Sequence, residues 1–264
     1  MAMQTINSKW VFILGGSSGF GLATAQLMAS KGYNLFIVHR NRKTQMQIFV
    51  DEVEKLIAMN VLVHHINVNA VDKESQVYVL KELRQVLGAE GKVKTVLHSL
   101  ADGNLNPIIG FEKFLEEEDF MHTINSMGIS FVTWTQLLYK NGFLENGSKI
   151  IGITSEGSQK VLPNYAAVGT AKSVLETASR YLAVEMAKFG ITVNIINAGV
   201  ADTPALRAIP NAKELLNQAI SKNPFKRLTT PQDIANVVWL LSQDEASWIN
   251  GVTIRADGGE QIVG

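Results

Sequence analysis

The sequence of 264 residues contains no cysteine, which excludes disulfide bonds, thiolate catalysis and cysteine-ligated zinc. Adjacent His64 and His65 would point to opposite faces of a strand, so we expect no metal site there or elsewhere. The 24 basic and 24 acidic side chains balance, which argues against a nucleic-acid-binding protein. No stretch approaches the roughly 20 apolar residues of a membrane helix, and the N-terminus has no signal-like apolar core. We therefore expect a cytoplasmic protein that binds neither nucleic acid nor membrane.

Apolar residues make up 46% of the chain, and they form short runs that alternate with stretches of helical periodicity. The runs predict strands at 10–14, 34–38, 61–66, 93–97, 149–154, 191–196 and 252–255. The periodic stretches predict helices at 20–30, 44–59, 73–87, 117–140, 166–189 and 231–242. Runs without polar interruption are typical of strands buried on both faces. We predict one α/β domain over residues 1–264, with a doubly wound (Rossmann) sheet of seven parallel strands and helices on both faces.

Residues 200–228 interrupt this alternation with three prolines and no strand. An insertion of this length predicts a loop that covers a substrate site. Its charged residues are mostly basic, namely Arg207, Lys213, Lys222, Lys226 and Arg227 against Asp202 and Glu214. Two interpretations are open, a surface that attracts an acidic partner or an ordinary solvated face.

A glycine-rich turn follows the first predicted strand and precedes the first predicted helix. Glycine allows a tight turn and a close approach of the backbone to a pyrophosphate, and the N–H groups at the helix start bind the anion. The residues predicted to make this contact are Gly15, Ser17, Ser18, Gly19, Phe20 and Gly21. Although glycines also serve ordinary turns, this context predicts nucleotide binding.

The end of the second predicted strand is basic and carries His39, Arg40 and Arg42. An NAD site would place a carboxylate about 20 residues past the glycines, yet no acidic residue occurs between positions 22 and 50. A guanidinium suits a 2′-phosphate, which a carboxylate would repel. The segment therefore favours NADPH, with a merely solvated basic loop as the alternative.

Tyr165 and Lys172 form the candidate catalytic pair. Seven residues turn an α-helix by about 700°, close to two full turns, so both side chains share one face. Asn164 is the predicted N-cap. A nearby ammonium is expected to lower the pKa of the Tyr165 phenol, which would then give or share a proton with a substrate oxygen. Alone, the two residues would more often be an ordinary aromatic and cation of a helix.

Over its whole length the chain resembles the short-chain dehydrogenase/reductases. Three segments carry the resemblance, the opening motif Leu14-Gly15-x3-Gly19-x-Gly21, Asn125 at the helix-kink position and the closing segment Ala256-Asp257-Gly258-Gly259. Most members have Tyr-x3-Lys, whereas this chain has Val168 where that tyrosine would stand. The divergent enoyl-acyl-carrier-protein reductase branch is matched by Tyr165-x6-Lys172, Pro163-Asn164-Tyr165 and Leu97-His98-Ser99-Leu100-Ala101.

The resemblance implies that NADPH reduces the trans-2 double bond of an enoyl thioester in fatty-acid synthesis, on acyl carrier protein or coenzyme A. By the same resemblance, Tyr165 would hydrogen-bond the thioester oxygen and Lys172 would hold the nicotinamide ribose. It also implies cofactor contacts by Asn67, Val68, Ser99, Leu100, Ala101, Asn125, Ala198, Gly199 and Thr203. A homotetramer is typical of the family.

Ser155 departs from the better-known NADH-dependent enoyl reductases, which have a second tyrosine ten residues before the catalytic one. It stands where carbonyl-reducing members have a serine, and we include it among the candidate catalytic residues. Together with the basic loop it resembles an NADPH-dependent enoyl reductase. Two alternatives stay open, a 3-oxoacyl or ketone reductase, which Ser155 favours, and a non-catalytic NADP(H) sensor, which the retained Tyr165 and Lys172 disfavour.

Overall fold

The computed structural model describes residues 9–263, so residues 1–8 and 264 of the predicted domain lie outside the described residues. The strands are β1 Trp10–Leu14, β2 Asn34–His39, β3 Val63–Asn67, β4 Val93–His98, β5 Lys149–Ser155, β6 Thr192–Ala198 and β7 Thr253–Ala256. They form one sheet in the order β3-β2-β1-β4-β5-β6-β7, and every neighbouring pair is parallel. The predicted seven-stranded parallel sheet is confirmed.

The helices follow the predicted alternation with one difference. They are α1 Gly19–Ser30, α2 Lys43–Ile57, α3 Lys73–Leu87, α4 Glu117–Ile124, α5 Ser130–Lys140, α6 Ala166–Ala187, α7 Pro204–Arg207, α8 Ala212–Lys222 and α9 Pro231–Leu241. The prediction of one helix over 117–140 is wrong, because the π-helical turn Asn125–Ile129 separates α4 from α5. This turn packs on α6, where a Cβ at Gly128 would lie 2.8 Å from the carbonyl oxygen of Ala171.

Both faces of the sheet are covered, as the uninterrupted apolar runs predict. Successive residues of β1 enter two separate core clusters, with Phe12 on one face and Ile13 on the other. The Phe12 ring lies 5.6 Å from the ring of Phe36 on β2 and 5.3 Å from that of Trp134 on α5. These aromatic contacts lock β1, β2 and α5 together, because centroids at such distances are in direct contact.

The strand order reverses between β1 and β4. Strands β2 and β3 lie on one side of β1, and strands β4 to β7 lie on its other side. In an open parallel sheet this reversal leaves a crevice at the carboxyl ends of the two central strands. The glycine turn, the basic loop after β2 and the segment after β4 all lie at this edge.

Residues 200–228 contain α7 and α8 and no strand. None of the helices within residues 9–263 is long and apolar enough to cross a membrane. The same residues contain no group of three or more histidine or acidic side chains that could hold a metal ion. His64 stacks on Phe36 while His65 contacts His39 and Phe49, so the two imidazoles lie on opposite faces of β3.

Candidate active site

A cavity of about 610 Å³ opens at the carboxyl edge of the sheet. Its volume is in the range of small-molecule and cofactor sites, about 300–1,000 Å³. Most of the residues singled out in the sequence line it, namely Gly15, Ser17, Ser18, Gly19, Phe20, His39, Arg40, Arg42, Val68, Ser99, Leu100, Ala101, Ser155, Tyr165, Lys172, Ala198, Gly199 and Thr203. The fold therefore gathers the glycine turn, the basic loop and the tyrosine–lysine pair around one space.

Three other residues expected at the cofactor do not line the cavity. Gly21 lies beneath the turn against the carbonyl oxygen of Gly15, where a Cβ would collide. The Asn67 side chain accepts a hydrogen bond from the N–H of Asn41 at 2.8 Å and donates to its carbonyl at 3.1 Å, so it fixes the basic loop. Asn125 is exposed on the π turn, and Ser126 of the same turn faces the cavity in its place.

The glycine turn offers a cradle that fits a pyrophosphate. Gly15 has a φ of 83°, and a Cβ there would lie 2.5 Å from the carbonyl oxygen of Ser99, so glycine is required. Ser18, the N-cap of α1, makes no side-chain cap bond, and the first turn has no acidic residue. The N–H groups of that turn are consequently available to an anion, which the helix dipole also favours.

The basic loop carries less charge than its sequence suggests. His39 is buried, and its burial lowers its pKa to about 4, so it is neutral. Its Nδ1 lies 3.0 Å from the Asn41 Oδ1 and its Nε2 lies 3.2 Å from the His65 Nδ1. Positive charge at this end of the cavity therefore comes from Arg40 and Arg42, which are exposed at its edge.

Tyr165 stands directly before α6. The predicted N-cap Asn164 is wrong by one residue, because Asn164 adopts a left-handed φ of 57° and Tyr165 itself is the N-cap. Asparagine tolerates that conformation better than most residues. The turn brings the Tyr165 hydroxyl to 3.3 Å from the Ser155 Oγ at the end of β5.

Burial raises the pKa of the Tyr165 phenol. The hydrogen bond with Ser155 opposes this shift, and the negative charge of Glu156 adds to it. The expected lowering by the Lys172 ammonium is therefore wrong for the protein alone, because loss of hydration is the largest effect and the only opposing one comes from Ser155. At neutral pH the side chain is a phenol that can donate a hydrogen bond or a proton.

Lys172 lies within α6, seven residues after Tyr165, and is buried. Its Nζ donates a hydrogen bond to the carbonyl of Ile153 at 2.8 Å. Burial lowers its pKa to about 8, and the nearby carboxylate of Glu176 opposes the shift. The Thr154 hydroxyl donates to Glu176 at 2.6 Å and holds it in place. The sequence interpretation missed Glu176, although its position four residues after Lys172 on the same helix was a usable signal.

The other half of the cavity is apolar. Residues of 200–228 that line it are Val200, Ala201, Thr203, Pro204, Ala205, Leu206, Ala208, Ile209 and Leu215. Leu105, Leu162 and Met127 line it from other elements. No local pattern indicated these three residues, because they come from separate segments that only folding brings together. Thr203 caps α7 by accepting from the Leu206 N–H at 3.2 Å, and its methyl group lies near Gly19.

His98, at the end of β4, is fully buried beside the site. Because the Ser130 hydroxyl donates to the Ser126 carbonyl at 2.7 Å, it accepts from the His98 Nε2 at 2.7 Å. The Nδ1 atom of His98 is buried without a hydrogen-bond partner. Burial lowers the pKa of His98 to about 3, with Lys172 contributing in the same direction, so this histidine is neutral.

A dinucleotide crevice beside a half-buried tyrosine and a buried lysine is the arrangement of the short-chain dehydrogenase/reductases, and it defines this chain as an oxidoreductase of that class. Within the class, the family model described as enoyl-(acyl carrier protein) reductase matches residues 15–261. The chain belongs to this family.

Similar proteins agree with this assignment over nearly the whole chain. The 1-cyclohexenylcarbonyl-CoA reductase of Streptomyces collinus is 27% identical over 263 residues, which cover 98% of this chain and 90% of that protein. The enoyl-[acyl-carrier-protein] reductase [NADH] FabI of Enterococcus faecalis is 25% identical over 261 residues, 97% and 99% of the two chains. The solved enoyl-[acyl-carrier-protein] reductase (NADH) of Aquifex aeolicus superposes with a TM-score of 0.83 at 25% identity, covering 98% of both chains.

The two buried neutral histidines predict a loss of stability in mild acid. In the unfolded chain His39 and His98 take up protons near pH 6.5, whereas in the folded protein they do so only near 4 and 3. Between these values the unfolded state binds more protons, so the free energy of unfolding falls as pH drops below 6.5. Each histidine lowers the free energy of unfolding by up to about 1.4 kcal/mol for each unit that the pH falls within this range.

Urea unfolding at pH 7.5, 6.5, 5.5 and 4.5 measures this slope, and His98→Asn should make it shallower. His122→Asn, which changes a half-exposed histidine, is the matched control. An unchanged slope in His98→Asn would show that His98 is not neutral in the folded protein.

Proposed function

We propose that this protein catalyses the NADPH-dependent reduction of the trans-2 double bond of an enoyl thioester. The observation that carries the proposal is the convergence of Tyr165 and Lys172, at the spacing of seven, on a cavity that also contains the glycine turn. Membership of the enoyl reductase family supports the reaction type. The cavity fits the cofactor because its turn has a free helix N-terminus and requires glycine where the pyrophosphate would lie.

The residues lining the cavity would hold NADPH, which would supply a hydride to the β-carbon of the enoyl group, and a proton from water would complete the reduction at the α-carbon. The buried Tyr165 phenol then donates a hydrogen bond to the thioester oxygen, where negative charge develops as the enolate forms. Since burial keeps this phenol protonated, it is a donor at neutral pH. Lys172 is proposed to hold the nicotinamide ribose, and Glu176 favours its ammonium form.

The proposal of NADPH rests on the loop after β2. No carboxylate stands at the end of that strand, and Arg40 and Arg42 both line the cavity. Asn67 fixes the backbone of Asn41 between them. The relatives from Enterococcus and Aquifex are named for NADH, so cofactor choice is the point at which we expect this chain to differ from them.

A 3-oxoacyl reductase is the second candidate. The Ser155 hydroxyl lies 3.3 Å from the Tyr165 hydroxyl, so both could hydrogen-bond one carbonyl oxygen. We rank this activity second because the family matched over residues 15–261 is that of the enoyl reductases.

The direct test follows the loss of NADPH absorbance with a medium-chain trans-2-enoyl thioester and with the matching 3-oxoacyl thioester, each repeated with NADH. We expect turnover on the enoyl substrate, faster with NADPH. Turnover on the 3-oxoacyl substrate alone would replace the proposal with the second candidate. Cofactor binding without turnover on either substrate would indicate a sensor.

Tyr165→Phe should lower kcat by about 10²–10³, because one hydrogen-bond donor to the developing oxyanion is lost. NADPH affinity, measured by calorimetry, should stay close to that of the wild type. Tyr78→Phe is the matched control, because this tyrosine of α3 is 48% exposed and does not line the cavity. A wild-type rate in Tyr165→Phe would remove Tyr165 from the mechanism.

Replacing Arg40 and Arg42 together with alanine should weaken NADPH binding by tenfold or more and change NADH binding little, since only NADPH carries the 2′-phosphate. The basis is the strength of charge-assisted bonds to phosphate, about 1.5–3 kcal/mol. Lys43→Ala is the control, because Lys43 belongs to the same basic run but does not line the cavity. An equal loss for both cofactors would show that these arginines serve the fold and not the phosphate.

The thioester carrier and the assembly are also proposals. Acyl carrier protein and coenzyme A both occur in the names of the relatives, and we propose acyl carrier protein as the carrier. A homotetramer is supported by the exposed Tyr181 and Val184 on α6 and Ile129 beside α5, which leave apolar surface uncovered. The expected cytoplasmic location stays a prediction.

A further inference from the structure

An ion pair crosses the crevice at the carboxyl edge of the sheet. The Arg40 Nη2 lies 2.9 Å from the Asp102 Oδ2. Arg40 directly follows β2 and Asp102 lies in the segment after β4, while β1 stands between these two strands. Because neighbouring strands are about 4.8 Å apart, the pair spans two strand spacings, or about 10 Å. Both residues line the cavity, so the pair extends over the end of β1, where the glycine turn begins.

Asp102 has a second partner that does not depend on Arg40. The His122 Nε2 of α4 lies 3.1 Å from the same Asp102 Oδ2. If Arg40 moves away, Asp102 therefore keeps a hydrogen-bond partner. Arg40 makes no other ion pair within the described residues, 9–263.

We propose that Asp102 is a specificity-determining residue that competes with the 2′-phosphate of NADPH for Arg40. This inference rests on the NADPH use proposed above. In the protein alone Asp102 holds Arg40 across the crevice. The 2′-phosphate, with its greater charge and three oxygens, takes the guanidinium from the carboxylate, and Asp102 stays with His122. The 2′-hydroxyl of NADH offers no such replacement.

Because of this competition, Asp102 lowers the affinity for NADPH and so reduces the preference for NADPH over NADH. Its carboxylate must release Arg40 before the phosphate can bind that guanidinium. The side chains of Arg40 and Asp102 are 54% and 40% exposed, so solvent weakens their attraction. The effect of Asp102 on NADPH affinity is therefore modest. From the strength of exposed ion pairs we expect removal of the Asp102 carboxylate to raise the affinity for the 2′-phosphorylated cofactor by about two- to fivefold.

The test measures the binding of NADP⁺ and NAD⁺, which differ only in the 2′-phosphate, by calorimetry on the full chain. The variants are Asp102→Asn, Arg40→Ala and the double variant. Asp102→Asn should bind NADP⁺ about two- to fivefold more tightly and NAD⁺ as the wild type does. In the Arg40→Ala background the same change should have no effect on NADP⁺.

Each other result has a distinct meaning. Unchanged or weaker NADP⁺ binding in Asp102→Asn, with Arg40→Ala still weakening it, would overturn the competition and leave the NADPH proposal standing. An equal gain with and without Arg40 would also overturn it, because simple repulsion by the carboxylate would then suffice. Wild-type NADP⁺ affinity in Arg40→Ala would reject Arg40 as the phosphate ligand and so overturn the competition. A wild type that binds NAD⁺ more tightly than NADP⁺ would contradict the NADPH proposal as well.

Discussion

The parallel direction of all seven strands is the constraint on which the site depends. Every strand ends at the same edge, so the segments after β1, β2, β4, β5 and β6 meet there although they are far apart in sequence. The reversal of strand order at β1 and β4 leaves a crevice that neither helical layer fills. The apolar core on each face fixes the strands, and the glycine turn and Tyr165 are positioned as a consequence.

Burial then gives the two ends of the cavity different electrostatic properties. At the end that holds Tyr165 and Lys172 it raises the pKa of Tyr165 and lowers that of Lys172 to about 8, so at neutral pH the phenol is uncharged and the lysine remains mostly protonated. At the other end burial lowers the pKa of His39 to about 4 and so keeps it neutral, while Arg40 and Arg42 remain exposed and charged. The loss of hydration thus keeps Tyr165 protonated at one end of the cavity and leaves Arg40 and Arg42 as the positive charges at the other.

Family membership and local geometry answer different questions about this protein. The match over residues 15–261 establishes the enoyl reductase family, and with it the class of chemistry. In our proposal cofactor choice depends on a few side chains after β2, which can change without altering the fold. The pairing of Arg40 with Asp102 shows that even a favourable arginine must be considered together with the group that already holds it.

Local sequence was sufficient for the features that depend on near neighbours. Apolar runs predicted all seven strands. The five inner strands β1, β2, β4, β5 and β6 are buried on both faces, as such runs imply, whereas the edge strands β3 and β7 are partly exposed. The glycine turn followed from backbone sterics. Tyr165 and Lys172 both line the cavity, although Tyr165 stands just before α6 and so lies outside the helical periodicity from which a shared face was predicted. Only tertiary structure decided the π turn Asn125–Ile129, the role of Asn67, the direction of the Tyr165 pKa shift and the Arg40–Asp102 pair. These features depend on burial and on contacts between distant segments, which no local pattern encodes.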